Sequence, residues 1–186
     1  MNETFWNDRY KSGGNSGLGS YGKCANGKAS VINNYIKKYN IKTISDFGCG
    51  DGNQISLLEG YENYCGYDIS PYIIDACKNK FENNKFMTFT NNVNEIPNAE
   101  LTLSLDVLYH LVNICDFELY LSQLFDKSKK YVLIFSSNHD RNSGINHIYH
   151  RKFTDWVDKH HTKFKLIEEI NNFYDTSAQF YLYKNI

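Results

Sequence analysis

The chain has 186 residues, of which 41% are hydrophobic, and this is enough for one domain with a sizeable core. A formal net charge of −1 gives no basic footprint for polyanion binding, so we do not expect a long nucleic-acid substrate. Five cysteines without a C-x-x-C pair argue against a disulfide framework and a cysteine zinc site. The sequence shows no leader-like N-terminus and no apolar run of membrane-spanning length, and we expect a soluble, unexported, cytoplasmic protein.

The predicted elements begin with a glycine-rich segment, residues 1–22, which we expect to be an irregular, flexible lid. Apolar residues spaced i, i+4, i+7 and i+11 then predict an amphipathic helix over about 23–39. Ser70 suits an N-cap and Pro71 a first helical residue, so we expect another helix to begin there. The remaining predictions are a helix over 116–125 and strands over 42–47, 64–68, 86–89, 101–105 and 131–136.

Strands alternate with helices over this part of the chain, which predicts a parallel sheet. The end of the chain differs, because residues 165–169 and 178–183 are strand-like and no helical pattern lies between them. A polar stretch around Asn171, Asn172 and Asp175 separates the two segments. We therefore predict a closing antiparallel hairpin in a single domain that covers residues 23–186.

The first strand leads into the most informative stretch, Ile44 to Gly52, in which an acidic residue is followed by glycines at 48, 50 and 52. Glycine lets the backbone bend sharply and approach a ligand where a Cβ would clash. A dinucleotide-binding turn has the spacing G-x-G-x-x-G, whereas this turn has G-x-G-x-G. Acidic residues at 46 and 51 also suit a cationic ligand better than a phosphate. The stretch therefore predicts a nucleoside-binding turn.

Two further landmarks follow. The second strand ends in Asp68, and its carboxyl end is expected to face the same crevice as the glycine turn, because neighbouring parallel strands end at one edge of a sheet. A carboxylate in that position can bind the vicinal diol of a ribose. The third landmark is the buried strand from Leu101, which exits into a loop that carries Asp106, Tyr109 and His110.

These three landmarks together resemble class I S-adenosylmethionine-dependent methyltransferases. The resemblance implies a Rossmann-like α/β fold with a seven-stranded, mostly parallel sheet, a C-terminal antiparallel hairpin and helices on both faces. It also implies S-adenosylmethionine as the cofactor, with the loop after the fourth strand next to the transferable methyl group. The cofactor-binding residues that it implies are Tyr10, Tyr21, Asp46, Gly48, Gly50, Asp51, Gln54, Asp68, Ile69, Asn92, Val93, Leu105 and Asp106.

Aromatic residues in the predicted lid form a second pattern. We expect Trp6, Tyr10 and Tyr21 to pack over the methionine moiety or the substrate, because an aromatic face attracts a sulfonium as it attracts other cations. Alternatively, the aromatic residues only seal the edge of the sheet. With the landmark strands, this pattern resembles small methyltransferases that are encoded beside glycosyltransferases in surface-glycan gene clusters.

A base is needed if the methyl acceptor is a hydroxyl. His110 is the leading candidate, because it follows the fourth strand and Asp106 can orient it. The alternative is a histidine packed on a helix stripe beside Leu108 and Leu111. The other candidate bases are His139 and His150, in the stretches after the fifth strand, where open α/β sheets bind ligands.

Arginine is rare in this chain, which has three arginines and many lysines. Arg9, Arg141 and Arg151 are all predicted to flank the crevice, where a planar guanidinium grips phosphate or carboxylate. The substrate-binding candidates are therefore Arg9, Tyr109, Arg141, His150 and Arg151. We predict no metal site, although zinc at His139, His147 and His150, or magnesium at Asp106 or Asp140, are the alternatives.

The predicted function is methyl transfer from S-adenosylmethionine to an oxygen of a small molecule, most simply a sugar or nucleotide sugar in glycan assembly, by a monomer or homodimer. Only two prolines occur, so the Pro-Pro and Pro-Cys motifs of base-amino and cytosine C5 methyltransferases are absent. The alternatives are methylation of protein or RNA and a non-catalytic cofactor-binding module. A nicotinamide dehydrogenase is disfavoured by the glycine spacing.

Overall fold

The structure is a computed structural model that describes residues 3–171 and 177–186. The chain is organised as two units, an N-terminal unit up to Glu100 and a C-terminal unit from Leu101. The helices are α1 (Glu3–Lys11), α2 (Gly22–Tyr39), α3 (Pro71–Lys80), α4 (Ile114–Asp126) and α5 (Phe153–His160). The strands are β1 (Thr43–Phe47), β2 (Asn63–Tyr67), β3 (Met87–Thr90), β4 (Ala99–Leu105), β5 (Ser128–Ser136), β6 (Arg141–Asn142), β7 (Tyr149–His150), β8 (Phe164–Asn171) and β9 (Gln179–Asn185).

Seven of the strands form one sheet in the order β3-β2-β1-β4-β5-β9-β8, and β6 and β7 form a separate two-stranded ribbon. The predicted α/β class, with a mostly parallel seven-stranded sheet and an antiparallel C-terminal pair, is confirmed. Within the described residues, none of the helices combines the length and the apolar character that crossing a membrane requires.

In the N-terminal unit, the predicted βαβ order is formed by parallel pairing of β1 with β2 and of β2 with β3. Helix α2 buries the periodic apolar residues that predicted it and ends at Asn40, whose φ of 50° is left-handed. Helix α3 begins as predicted, because the Ser70 side chain accepts a hydrogen bond from the Ile73 N–H and Pro71 is the first helical residue.

Helix α1 was not predicted, because this part of the chain was expected to be irregular. Only Tyr10 of its nine residues is buried, so no apolar stripe marks it in the sequence. Its contacts with α3 hold it in place: the Asn7 Oδ1 accepts hydrogen bonds from the Ser70 Oγ at 2.8 Å and from the Tyr72 N–H at 3.3 Å. Tertiary contacts rather than periodicity therefore explain this helix.

In the C-terminal unit, β9 pairs antiparallel with both β5 and β8, which is the predicted hairpin. The backbone of Asn171 ends β8, whereas Asn172 and Asp175 of the predicted turn lie outside the described residues. Between β5 and β8 the sequence analysis expected only loops, and the structure instead has the β6–β7 ribbon and α5. Helix α5 buries only Phe153 and Val157, which is too short a pattern to identify a helix.

Candidate functional site

The glycine turn after β1 has the strained backbone that its sequence predicted. Gly48, Gly50 and Gly52 all have left-handed φ angles, of 89°, 54° and 69°. The Gly48 and Cys49 N–H groups both donate to the Tyr67 carbonyl oxygen, at 2.7 and 2.9 Å. A Cβ on Gly50 would collide with the Ser16 side chain, and one on Gly52 would collide with Phe81. Glycine is therefore required for this turn to close onto the end of β2.

Asp68 follows β2 and fixes the turn from the other side. Its Oδ2 accepts from the Gly50 N–H at 3.1 Å, and its Oδ1 accepts from the Ser70 N–H at 3.0 Å. Burial raises its pKa to about 6, although backbone hydrogen bonds from Ser70, Gly50 and Ile69 oppose the shift. Each carboxylate oxygen can accept about two hydrogen bonds, so acceptor positions remain for a ligand.

Two buried oxygens near the turn in the sequence have no hydrogen-bond donor among the described residues. One is the Asp46 Oδ1, whose partner oxygen Oδ2 accepts from the Tyr64 hydroxyl at 2.9 Å. The other is the Gln54 Oε1, whose amide nitrogen donates to the Ala25 carbonyl at 3.1 Å. Burial raises the pKa of Asp46 to about 7. Unsatisfied buried acceptors are uncommon, and these two can receive the donors of a ligand.

Asp51 is occupied by the N-terminal segment. Its Oδ2 accepts from the Ser16 N–H at 2.9 Å and from the Tyr21 hydroxyl at 2.7 Å, and its own N–H donates to the Ser16 Oγ. Its Oδ1 accepts from the Asn53 N–H at 3.0 Å. Despite burial, these hydrogen bonds hold the pKa of Asp51 below its usual value. The two hydrogen bonds between Ser16 and Asp51, which we call the clasp, therefore attach the predicted lid to the glycine turn.

The two tyrosines of the lid differ in exposure. Tyr10 is buried, and its hydroxyl lies 3.3 Å from the Ser16 Oγ. Burial and nearby Asp68 raise the pKa of Tyr10. Tyr21 is exposed, and burial of its hydroxyl end together with the bond to Asp51 raises its pKa to about 12. Both phenols are therefore neutral hydrogen-bonding groups near neutral pH.

The predicted cofactor-binding residues Asn92 and Val93 follow β3. The Asn92 Oδ1 accepts from the Asn94 N–H at 3.1 Å, and its amide nitrogen donates to the Glu95 Oε1 at 3.1 Å. Val93 begins a short 3₁₀ turn and is half-buried. The Asn92 side chain thus shapes the loop through local bonds.

The loop after β4, in the C-terminal unit, contains a strained acidic residue. Asp106 has a φ of 62°, one of two left-handed φ angles at non-glycine residues in the described chain. Its N–H donates to the Phe135 carbonyl, and its Oδ1 accepts from the Tyr109 hydroxyl at 2.8 Å. Strain of this kind costs on the order of 1 kcal/mol and is concentrated at functional sites. Leu105, just before it, is half-buried.

His110 has a tautomer that can be assigned. Its Nδ1 lies 3.0 Å from the His147 carbonyl oxygen, which can only accept, so Nδ1 carries the proton. In the neutral ring the lone pair is therefore on Nε2. Leu108 and Leu111 are buried, whereas His110 is half-buried and stacks on the His147 ring at 5.6 Å. It does not share the burial of the neighbouring leucines.

A second pair of imidazoles lies beyond β5. The rings of His139 and His150 stack with centroids 4.9 Å apart, and the His150 Nδ1 lies 2.6 Å from the Oγ of buried Ser137. Burial, His139 and Arg141 lower the pKa of His150, so this ring is neutral near neutral pH. No three His, Cys, Asp or Glu side chains within residues 3–171 and 177–186 converge as metal ligands.

The three predicted anion-binding arginines differ in their contacts. Arg9 donates its Nε to the Asn15 carbonyl at 2.7 Å and lies over Trp6. Arg151 donates both terminal nitrogens to the carbonyls of Leu111 and Val112 and lies over the Tyr149 ring. The guanidinium of Arg151 therefore binds backbone carbonyl oxygens, whereas the sequence analysis predicted that it binds a phosphate. Arg141 is exposed on β6 and makes no such bond to a residue that the structure describes.

Sequence reasoning missed two residues of these clusters, Ser16 and Ser137. Ser16 lies in the glycine-rich segment, where no pattern distinguishes it from the other serines. Ser137 directly follows β5, and its position at the carboxyl end of a strand was the one signal that could have identified it.

Comparison with known proteins agrees with this architecture. Residues 45–130 match the family described as a methyltransferase domain, and a search of curated proteins finds no significant match. Magnesium protoporphyrin IX methyltransferase from Synechocystis PCC 6803, with bound S-adenosylmethionine, is similar with 14% identity and a TM-score of 0.72 over 100% of this chain and 98% of that one. The N-methyltransferase NodS from Bradyrhizobium japonicum, in complex with S-adenosylhomocysteine, has 10% identity and a TM-score of 0.67 over 84% of each chain.

A third similar structure is an S-adenosylmethionine-dependent methyltransferase from Clostridium acetobutylicum, with 14% identity and a TM-score of 0.65 over 85% of this chain and 90% of that one. The matched region 45–130 contains β1 to β4, with the glycine turn and Asp68. Residues 45–130 of this chain thus match the methyltransferase-domain family, and the chain has the overall fold of these methyltransferases.

Proposed function

We propose that this protein is an S-adenosylmethionine-dependent methyltransferase that methylates a hydroxyl oxygen of a small acceptor, a sugar or nucleotide sugar used in glycan assembly. The observation that carries the proposal is the glycine turn of β1 closed onto Asp68 of β2, within the region that matches the methyltransferase-domain family. The similar structures that contain S-adenosylmethionine or S-adenosylhomocysteine support the same donor here.

The residues around the turn fit this cofactor. Its ribose is a vicinal diol, and Asp68 keeps an acceptor position beyond its bonds to backbone N–H groups. Its ammonium group carries three N–H donors, and the orphan oxygens of Asp46 and Gln54 are acceptors without donors. When bound, the cofactor supplies an electrophilic methyl group on a sulfonium. The N-terminal segment, clasped by Asp51, covers this cofactor in our proposal.

The proton of the acceptor hydroxyl goes to the Nε2 of His110. When the cofactor is bound, the acceptor oxygen would take its methyl group, and the His110 imidazole would take the hydroxyl proton. The Nδ1–H of His110 donates to the His147 carbonyl, which orients the ring and stabilises its protonated form. Asp106 lies in the same loop, where its Oδ1 accepts a hydrogen bond from the Tyr109 hydroxyl.

The test is a thermal-shift comparison of S-adenosylmethionine, S-adenosylhomocysteine and NAD, followed by mass spectrometry of reactions with a panel of nucleotide sugars. We expect the two sulfur nucleosides to raise the melting temperature, NAD to have no effect, and one nucleotide sugar to gain the mass of a methylene group. Stabilisation by NAD alone would reject the proposed methyltransferase function in favour of a dehydrogenase. Cofactor binding with methylation only of RNA or protein would retain the enzyme class and reject the acceptor.

A further inference from the structure

Among the described residues, Arg141 on the β6–β7 ribbon is the arginine with no guanidinium donor committed to the chain. Arg9 and Arg151 donate to carbonyl oxygens of the chain. The guanidinium of Arg141 makes no hydrogen bond or ion pair with any residue in the described ranges. A guanidinium has five N–H donors in a fork that matches the oxygens of phosphate or carboxylate. All five donors of Arg141 are thus available to a ligand.

Two imidazoles accompany this guanidinium. Arg141 and His150 are direct partners in the antiparallel β6–β7 register, so their side chains project from the same face of the ribbon. The His139 ring stacks on His150 with centroids 4.9 Å apart and an interplanar angle of 22°. Ser137 bonds to the His150 Nδ1 and so leaves the Nε2 of that ring for another partner. Three groups that carry positive charge or can acquire it therefore share one surface.

No carboxylate of the described residues forms an ion pair with His139, Arg141 or His150. The nearest carboxylate in the sequence, Asp140, accepts through its Oδ1 from the Lys152 N–H. Asp106, the next candidate, accepts from the Tyr109 hydroxyl. A bound anion would pair with the guanidinium of Arg141 and accept N–H donors from the neighbouring imidazoles. The lowered pKa of His150, caused by burial, His139 and Arg141, agrees with an unneutralised cationic surface.

We infer that His139, Arg141 and His150 form a binding site for the phosphate or diphosphate group of the acceptor. This inference rests on the proposed function, because it assigns the anionic part of the same substrate. Arg141 supplies the bidentate grip, and each imidazole supplies an N–H to a remaining oxygen. Ser137 is a positioning residue that fixes the orientation of the His150 ring.

The experiment is a titration of the full chain with inorganic pyrophosphate, followed through the histidine ring proton signals in NMR spectra. We expect saturable shifts of the His139 and His150 signals, while His160 and His161, which stack on Trp156, stay unchanged. Arg141→Gln should weaken pyrophosphate binding by on the order of tenfold, and Arg141→Lys by less, because the charge remains but the fork is lost. His160→Gln is the matched control and should bind like the wild type.

Shifts that do not saturate, or equal binding by wild type and Arg141→Gln, would overturn the site. Tighter, Arg141-dependent binding of a short RNA oligonucleotide than of pyrophosphate would overturn the small-molecule acceptor in favour of a nucleic-acid backbone. Calorimetry with S-adenosylhomocysteine on the same samples separates the two proposals. If pyrophosphate binds and the nucleoside does not, the anion site stands and the methyltransferase fails; the reverse result removes only the anion site.

Discussion

Replacing Asp46 with Asn should remove a large part of the pH dependence of stability. Burial raises the pKa of Asp46 to about 7 in the folded chain, against an ordinary value of 3.8. Because the folded pKa is the higher one, this carboxyl stabilises the fold when protonated, and that contribution is lost as the pH rises through 7. Between pH 5 and pH 8 the wild type should lose on the order of 2–3 kcal/mol of unfolding free energy from the ionisation of Asp46.

The assay is urea unfolding of the wild type and Asp46→Asn at pH 5, 6, 7 and 8, without cofactor. Asn keeps an acceptor for the Tyr64 hydroxyl and does not titrate, so the difference between the two proteins isolates the carboxyl. A constant offset between them carries no information; the slope with pH does. Asp68, whose pKa is also raised, remains in both proteins, and because its charge contributes to the raised pKa of Asp46, the difference reports Asp46 together with its coupling to Asp68. An identical difference at pH 5 and pH 8 would refute the buried-carboxyl reasoning.

Three further outcomes are expected. Asp68→Ala should weaken S-adenosylhomocysteine binding by on the order of 2–3 kcal/mol in calorimetry, because two hydrogen bonds to a diol are lost; unchanged affinity would remove the ribose assignment. His110→Ala should lower kcat by about 10²–10⁴ with unchanged S-adenosylhomocysteine affinity, and His160→Gln serves as the control; full turnover would dismiss His110 as the base. Tyr21→Phe, which removes the hydroxyl bonded to Asp51, should speed S-adenosylhomocysteine dissociation in stopped-flow measurements with little loss of stability; an unchanged rate would contradict a cover role for the N-terminal segment.

The sequence predicted the elements whose side chains alternate or recur with a clear period. Helix α2 and the C-terminal hairpin were predictable because each buries a regular apolar pattern. The start of α3 was predictable because Ser70 is an N-cap residue and Pro71 suits the first helical position. Helices α1 and α5 were missed because each buries only one or two apolar residues. Their formation depends on contacts with distant parts of the chain, such as that between Asn7 and Ser70.

The candidate site shows the same difference between features set by the sequence pattern and features set by contacts between distant residues. The sharp turn follows from the glycine pattern G-x-G-x-G, and the place of Asp68 follows from the rule that neighbouring parallel strands end at one edge of a sheet, so both were predictable. The partners of Asp51 and Arg151 were not predictable, because Ser16 is 35 residues from Asp51 and Leu111 is 40 residues from Arg151. A sequence can indicate that a charged side chain lies near a site. Its hydrogen-bond partner, a ligand or the backbone, depends on the fold.

The clasp between Ser16 and Asp51 has a consequence for the order in which the chain assembles and opens. Helix α2 and strand β1 lie between Ser16 and Asp51 in the sequence. The two hydrogen bonds of the clasp can therefore form only after α2 and β1 have packed. Segments that dock last by few contacts open first under native conditions. The Ser16 amide should therefore exchange with solvent deuterium faster than the amides of β1. The exchange rate of the Ser16 amide proton therefore reports whether the N-terminal segment is bonded to the glycine turn, and no label in the turn is needed.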